Sequence, residues 1–410
     1  MSDERLGRRV MERLDALARH SDEPGKLTRL YLSAAHKTAA EELAGWMREA
    51  GLTVSIDALG TVVGRYESAI PGAPALLFGS HIDTVRDAGR YDGALGVIAG
   101  LVAVEELAKR HEKFPFAIEV VAFGDEEGVR FPTTLTSSRA LAGNFDPAVL
   151  DACDAEGVSL RKALIAFGCD PAAIASVAKS REQVLAYVEV HIEQGPVLES
   201  SNLPVGVVTA INGVRRLTVA VTGEAGHAGT VPMRLRRDAL AAAAEMVLAV
   251  ERIANSLSNI MATIGRMEVF PCAVNVIPGS VQFTIDVRSP DDMHRDAATE
   301  EITRSIRKIA ADRRVELSIS TTHEAPATAC SPVMIDALSR AIKNLGYATR
   351  LLPSGAGHDA MAIAKLCPVG MLFVRCAGGI SHNPKEAISL QDADICVRIL
   401  LEFLCNFKPA

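Results

Sequence analysis

Residues 75–124 read ALLFGSHIDTVRDAGRYDGALGVIAGLVAVEELAKRHEKFPFAIEVVAFG. The stretch opens on a short apolar run that ends in small residues, ALLFGS (75–80), and closes on another, AIEVVAFG (117–124). Between them LGVIAGLVAVEELAKR (95–110) has the length and apolar spacing of a helix. Strand, helix, strand is the repeating unit of an α/β sheet flanked by helices. Outward from it, TAAEELAGWMREA (38–50) reads as a helix stopped by Gly51, and VLAYVEVHIE (184–193) as a further strand. Near the C-terminus the same pattern resumes, with a helix at 332–345, a loop at 353–357, the strand GMLFVR (370–375) and a closing helix at 391–406. In such sheets polar chemistry belongs where the strands end.

A different rhythm begins near Asn212. RLTVAVTGE (216–224) alternates like a half-buried strand, and RRDALAAAAEMVLAVERIANSL (236–257) is a long helix opened by Arg236, Arg237 and Asp238. MATIGRMEV (261–269) and SVQFTIDVRS (280–289) read as strands, 291–312 as a helix and VELSIST (315–321) as a strand. That order, β-α-β-β-α-β, is the ferredoxin-like split motif. The expected division is therefore a first domain of residues 1–211 and 327–410, interrupted by an inserted α+β domain of residues 212–326.

Bulk properties agree with two folded domains. A chain of 410 residues exceeds one ordinary core, and 49% hydrophobic with 23% charged residues is a globular composition. The net charge of -7 gives no general attraction to phosphate backbones or anionic lipid, so neither nucleic acid nor membrane is an expected partner. The N-terminal MSDERLGRRVMERLDALARH lacks the apolar core of a signal peptide, and no run of 18 apolar residues occurs. Eight scattered cysteines without a C-x-x-C read as reduced thiols, which makes the cytoplasm the expected address.

Five of the ten histidines fall in short motifs of small and acidic residues. GSHIDTV places His81 just past a strand, with Asp83 two positions on. YDGALGV supplies Asp92 before Gly93, VAFGDEEGVRF sets Glu126 beside Glu127, HIEQGPVLE gives His191, Glu193 and Gln194, and GGISHNPKE gives His382. Alone, each has an ordinary reading: a strand-end histidine is usually structural, Asp-Gly is usually a turn, and an acidic triplet is usually a solvated loop. Together, the ends of consecutive strands in one sheet converge on one edge. Carboxylates mixed with imidazoles suit Zn²⁺, Mn²⁺ or Co²⁺.

The set GSHIDTV, AGRYDGALGV, FGDEEGVRF, HIEQGPVLE, AGHAGTVPM, NVIPG, SGAGHDAM and GGISHNPKE resembles the M20 metallopeptidase clan, and within it the hydantoinase/carbamoylase-type amidases. The likeness runs from about residue 28 to about 390. It implies two divalent metal ions per subunit, with Asp92 bridging them, His81 and His191 completing one site, and Glu127 and His382 the other. It implies Glu126 as general base, Asp83 as the acceptor that fixes the His81 tautomer, and Glu126 and Glu127 pointing apart as neighbours in an extended segment. It implies a homodimer through the insert, acting as a lid, with His227 of one subunit stabilising the oxyanion formed in the other. Arg288 and Asn275 would grip a substrate carboxylate, Gln194 would contact a ureido group, and Gly355 and Gly357 would let the backbone approach the substrate. His358 and Asp359 are expected to brace that loop.

The candidate substrates share a ureido group and a carboxylate. DAGRYDG, FGDEEGVRFPTTL and GMLFVRCAGGISHNP look closer to allantoate amidohydrolases, with Mn²⁺ the favoured metal. Typical carbamoylases more often carry Asn in place of Asp125 and a Pro-Ser pair near 375–376. Ser137 departs from a common Gly, which puts the shape of the loop after the glutamates in question. N-carbamoyl-L-amino acids and β-ureidopropionate are the alternatives, with a dipeptidase or a catalytically idle binding protein more remote.

Overall fold

The computed structural model describes residues 4–408, which divide into two compact units. The strands in chain order are β1 (Thr53–Ile56), β2 (Val62–Tyr66), β3 (Ala75–His81), β4 (Ala117–Phe123), β5 (Val184–Ile192), β6 (Val205–Ile211), β7 (Gly213–Thr222), β8 (Gly226–His227), β9 (Met261–Thr263), β10 (Met267–Phe270), β11 (Val276–Ile277), β12 (Ser280–Ser289), β13 (Glu316–Ala325), β14 (Thr328–Ala329), β15 (Leu351–Ser354) and β16 (Val369–Val374). The longest helices are α1 (Arg5–Leu17), α2 (Ala34–Glu49), α3 (Ala94–Lys109), α4 (Ala239–Ser256), α5 (Asp292–Arg313), α6 (Pro332–Asn344) and α7 (Leu390–Asn406).

The first unit comprises Met1–Thr209, Cys330–Leu352 and Ala356–Ala410. Its mixed sheet runs β1-β2-β4-β3-β5-β16-β6, with β4, β3, β5 and β16 mutually parallel and antiparallel pairs at either side. Helices cover the sheet, so β3 and β4 are buried at every residue and read as continuous apolar runs. Helix α3 is apolar nearly all round for the same reason, buried from Ala94 through Val104. Tight packing holds it there, since Gly96 lies where a Cβ would stand 2.1 Å from the Val190 carbonyl oxygen of β5.

The second unit comprises Ala210–Ala329 with Pro353–Gly355. Its sheet runs β10-β12-β7-β13, with β9 also paired to β12, and α4 and α5 connect the strands in the split β-α-β-β-α-β order. Alternation sets its core. Leu217, Val219 and Val221 of β7 and Val281, Phe283, Ile285 and Val287 of β12 are buried together with Ile302 and Ile306 of α5. Each such side chain contributes roughly 1.5–3 kcal/mol.

Two local expectations fail. The stretch 261–269 is not one strand: β9 pairs Thr263 with Asp286 and β10 pairs Met267 with Phe283, so three residues, 264–266, oppose two. Gly265 sits in that bulge. Residues 353–354, expected as loop, end the strand β15, which pairs with β6.

Candidate active site

The four parallel strands present their C-terminal ends to one edge of the first unit, and the five predicted ligands of that unit come together there. β3 ends on His81 and β5 carries His191 one residue from its end. The chain beyond β4 carries Glu126 and Glu127, the chain beyond β16 carries His382, and Asp92 immediately precedes the Gly93 that opens α3.

Asp92 joins these groups. Its Oδ1 lies 3.1 Å from Nε2 of His191 and 3.5 Å from Nε2 of His81, while Oδ2 lies 3.4 Å from Nε2 of His382. His382 Nε2 is in turn 3.5 Å from Glu127 Oε2, and His81 Nε2 is 3.9 Å from Glu126 Oε2. Nδ1 of His81 donates to the Asp83 carbonyl at 3.0 Å, and Nδ1 of His191 to the Ile192 carbonyl at 3.0 Å. A carbonyl only accepts, so both protons sit on Nδ1 and the Nε2 atoms are left facing each other across 3.5 Å. Two lone pairs so placed are satisfied by a cation. Donor atoms of His81, Asp92 and His191 lie within 4.8 Å of one another, as do those of Asp92, Glu127 and His382. The two groups have Asp92 in common, and their mixture of carboxylates and imidazoles suits a divalent metal ion.

Electrostatics point the same way. Burial pushes Asp92 up, but attraction to His191 and the closeness of the His191, His382 and His81 rings outweigh it and hold the carboxyl well below its usual range. Burial raises Glu126 well above the ordinary glutamate value and Glu127 to about 7. The hydrogen bond to Asp92 raises His382 to about 9, against burial, which lowers it. Two adjacent glutamates that resist ionisation are relieved by positive charge.

Several expected roles change in detail. The Asp83 carboxylate does not hold His81, since its Oδ1 is 3.7 Å from Nδ1 and the Asp83 backbone carbonyl is the acceptor. The carboxylate instead accepts the Glu126 and Glu127 backbone N–H groups at 3.3 and 3.2 Å, fixing the acidic pair. Nor do those glutamates lie in extended strand, because β4 stops at Phe123 and Asp125 turns the chain at a φ of 64°. Burial pushes Asp125 up to about 8, and it takes the Thr133 and Thr136 hydroxyls, so it shapes the loop from below. Ser137 donates to the Gly124 carbonyl at 2.6 Å and accepts the Gly124 N–H at 3.0 Å, a clamp that glycine has no side chain to make.

Gln194 stands at a φ of 56° with Nε2 2.9 Å from Asp92 Oδ2 and 3.0 Å from Ser381 Oγ. Ser381 also donates to Asp92 Oδ2 at 2.7 Å. Glu386 accepts the Tyr91 and Asp92 backbone N–H groups at 2.9 and 3.0 Å and anchors the turn that carries Asp92. Neither Ser381 nor Glu386 was singled out in the sequence, although both lie in the GGISHNPKE motif. Gly93, at a φ of 66°, is required where it stands, because a Cβ would fall 2.4 Å from the His81 ring. Gly357 leaves room beside Glu126, whose Oε1 would be 3.8 Å from a Cβ there. His358 is buried with its ring centroid 4.5 Å from that of His191, a bracing position, and Asp359 is buried beside it.

The remaining candidates belong to the second unit. His227 pairs with Val276 across the β8–β11 ribbon, which also brings Asn275 alongside, since the Ala228 N–H donates to the Asn275 carbonyl at 2.9 Å. His227 is exposed, and its Nδ1 accepts the Gly229 N–H at 3.0 Å. Arg288 stands one residue from the end of β12, and its Nη1 donates to the Gly355 carbonyl at 2.7 Å.

Comparison with known proteins returns one consistent picture. The model of the family described as Peptidase family M20/M25/M40 matches residues 77–406. A probable allantoate deiminase of Oryza sativa subsp. japonica is 41% identical, over 96% of this chain and 87% of its own. An N-carbamoyl-L-amino acid amidohydrolase of Geobacillus stearothermophilus is 42% identical, over 96% of this chain and 97% of its own. Among solved structures, an amidase of the hydantoinase/carbamoylase family from Burkholderia multivorans superposes with a TM-score of 0.92 at 34% identity, covering 97% of both chains. No helix among the described residues is long and apolar enough to cross a membrane.

Proposed function

The chain belongs to peptidase family M20/M25/M40, and on that footing we propose that it is a metal-dependent amidohydrolase cleaving a ureido C–N bond of a small carboxylate, allantoate foremost. The observation that carries the reading is Asp92, with one oxygen toward His81 and His191 and the other toward His382. Under it, His81, Asp92 and His191 hold one divalent ion and Asp92, Glu127 and His382 a second, Mn²⁺ in preference to Zn²⁺ or Co²⁺. Such ions, when bound, supply Lewis acidity that polarises the ureido carbonyl and makes water easier to deprotonate.

The protein's own groups do the rest. Glu126, buried and with its backbone fixed by Asp83, takes a proton from the attacking water and returns it to the departing nitrogen. The water oxygen bonds to the ureido carbon, the C–N bond breaks, and the carbamic fragment decomposes to ammonia and CO₂. Gln194 commits its N–H groups to Asp92 and Ser381, which leaves its carbonyl oxygen as an acceptor for a ureido N–H. Arg288 and Asn275 hold the carboxylate, and His227 donates to the developing oxyanion of the other subunit in a homodimer formed by the inserted unit. Gly355 and Gly357 give the substrate access to the backbone.

The similarity of 42% to the Geobacillus stearothermophilus protein supports N-carbamoyl-L-amino acids as the second reading. Ammonia release from allantoate, an N-carbamoyl-L-amino acid and β-ureidopropionate, each with Mn²⁺ and then Zn²⁺, is the deciding assay. Faster metal-dependent release from allantoate is expected. Release from none of the three would remove the ureido reading.

A further inference from the structure

Strand β12 alternates, and its two faces have different chemistry. Phe283, Ile285 and Val287 are buried toward the helices, which puts Thr284, Asp286 and Arg288 together on the other face. Arg216 of β7 stands directly across from Asp286 in the register. These groups line a cleft of about 580 Å³ whose wall also includes Met261 and Gly355. Asp286 sits between two guanidinium groups: Arg288 Nε donates to its Oδ1 at 2.7 Å, Arg288 Nη2 to its Oδ2 at 3.2 Å, and Arg216 Nε to its Oδ2 at 2.9 Å.

A guanidinium has five N–H donors in a fixed plane. Asp286 occupies the side edge of Arg288, one bond from Nε and one from Nη2, and the Gly355 carbonyl takes a proton of Nη1 at 2.7 Å. Two N–H groups remain, one on each Nη. We infer that Asp286 positions the Arg288 guanidinium, with Gly355 as a second stop, so that this remaining pair is presented into the cleft as a fork for the substrate carboxylate. The inference rests on the reading of Arg288 given under Proposed function and adds the residue that aims it. Arg216 keeps the arrangement from cancelling: with Asp286 shared between two cations, the cluster retains net positive charge for an anion. Hydrogen bonds and charge from both arginines hold Asp286 below the usual carboxylate range in spite of burial, which raises it.

The role separates from mere stability of the strand by ligand charge. Equilibrium binding of allantoate and of its carboxamide analogue is measured by titration calorimetry on the metal-loaded dimer carrying Glu126→Gln, so that nothing turns over. Adding Asp286→Ala is expected to weaken allantoate about 10- to 100-fold and the carboxamide little, with Asp286→Asn in between. Equal weakening of both ligands would overturn the inference, as would tighter allantoate binding, which would make Asp286 a competitor for Arg288. Arg288→Met separates the two claims. If it leaves allantoate affinity unchanged, the carboxylate role of Arg288 falls; if it weakens allantoate while Asp286→Ala does not, only the aiming role falls.

Discussion

At the scale of single residues, the proposed division of labour within the glutamate pair rests on its surroundings. Glu127 is 3.5 Å from His382, whereas Glu126 lies 3.9 Å from His81. Glu126→Gln is therefore expected to retain two metal ions by elemental analysis and lose about 10²- to 10⁴-fold in kcat; unchanged kcat would sink the assignment. His36 offers a pH-dependent counterpart away from the site. Its Nδ1 accepts the Leu32 N–H at 3.1 Å, and burial, with Arg29 and Arg130 nearby, lowers it to about 3. The folded value lies below the unfolded one, so the unfolded chain binds the extra proton. The contribution is complete above about pH 6.5 and is lost as pH falls toward 3, at about 1.4 kcal/mol per pH unit. Between pH 7 and 5 the protein should lose about 2 kcal/mol more than His36→Gln in denaturant titrations; parallel losses would refute it. The sequence made the main candidate ligands legible because His81 and His191 stand at the ends of apolar strands and His382 follows another. It hid Ser381 and Glu386, whose partner Asp92 is 289 and 294 positions away, and it hid the use of the Asp83 side chain, which depends on a turn of left-handed φ at Asp125.

Among the elements, the helices and strands were readable where one period governed them. Helix α4 begins where Asp238 accepts the Leu240 and Ala241 N–H groups, both at 3.0 Å, so that residue of the Arg236–Arg237–Asp238 run is a cap. Asp238→Ala should lower the stability of the second unit by about 1 kcal/mol, read as a lower unfolding midpoint, without altering metal content. A loss of bound metal would mean the helix start does more than begin a helix. The bulge at 264–266 escaped the sequence because 261–269 is short enough to pass as one strand, and only pairing to β12 shows the extra residue. The short ribbon β8–β11 escaped for a related reason: two residues on each strand have no period at all.

For the whole molecule, the proposed dimer makes a test that neither subunit passes alone. His227→Ala and Glu126→Gln chains, each nearly inactive, should regain about a quarter of parental activity after subunits exchange at equal ratio, because one site in each hybrid keeps both intact residues. No recovery after exchange proven by mass spectrometry would confine His227 to its own chain. The order of the sheet carries a consequence for biosynthesis. Strand β16 lies between β5 and β6, yet it is made only after the entire second unit. A nascent chain therefore holds a gap between β5 and β6, each with an unpaired edge, for about 160 residues of elongation, several seconds to half a minute at about 5–20 residues per second. The second unit, nearly contiguous in sequence, has all its sheet strands in hand by residue 325, before β16 is made. His382 emerges only after β16, so the candidate site stays incomplete until then, and a product terminated before it has open strand edges and lacks that residue.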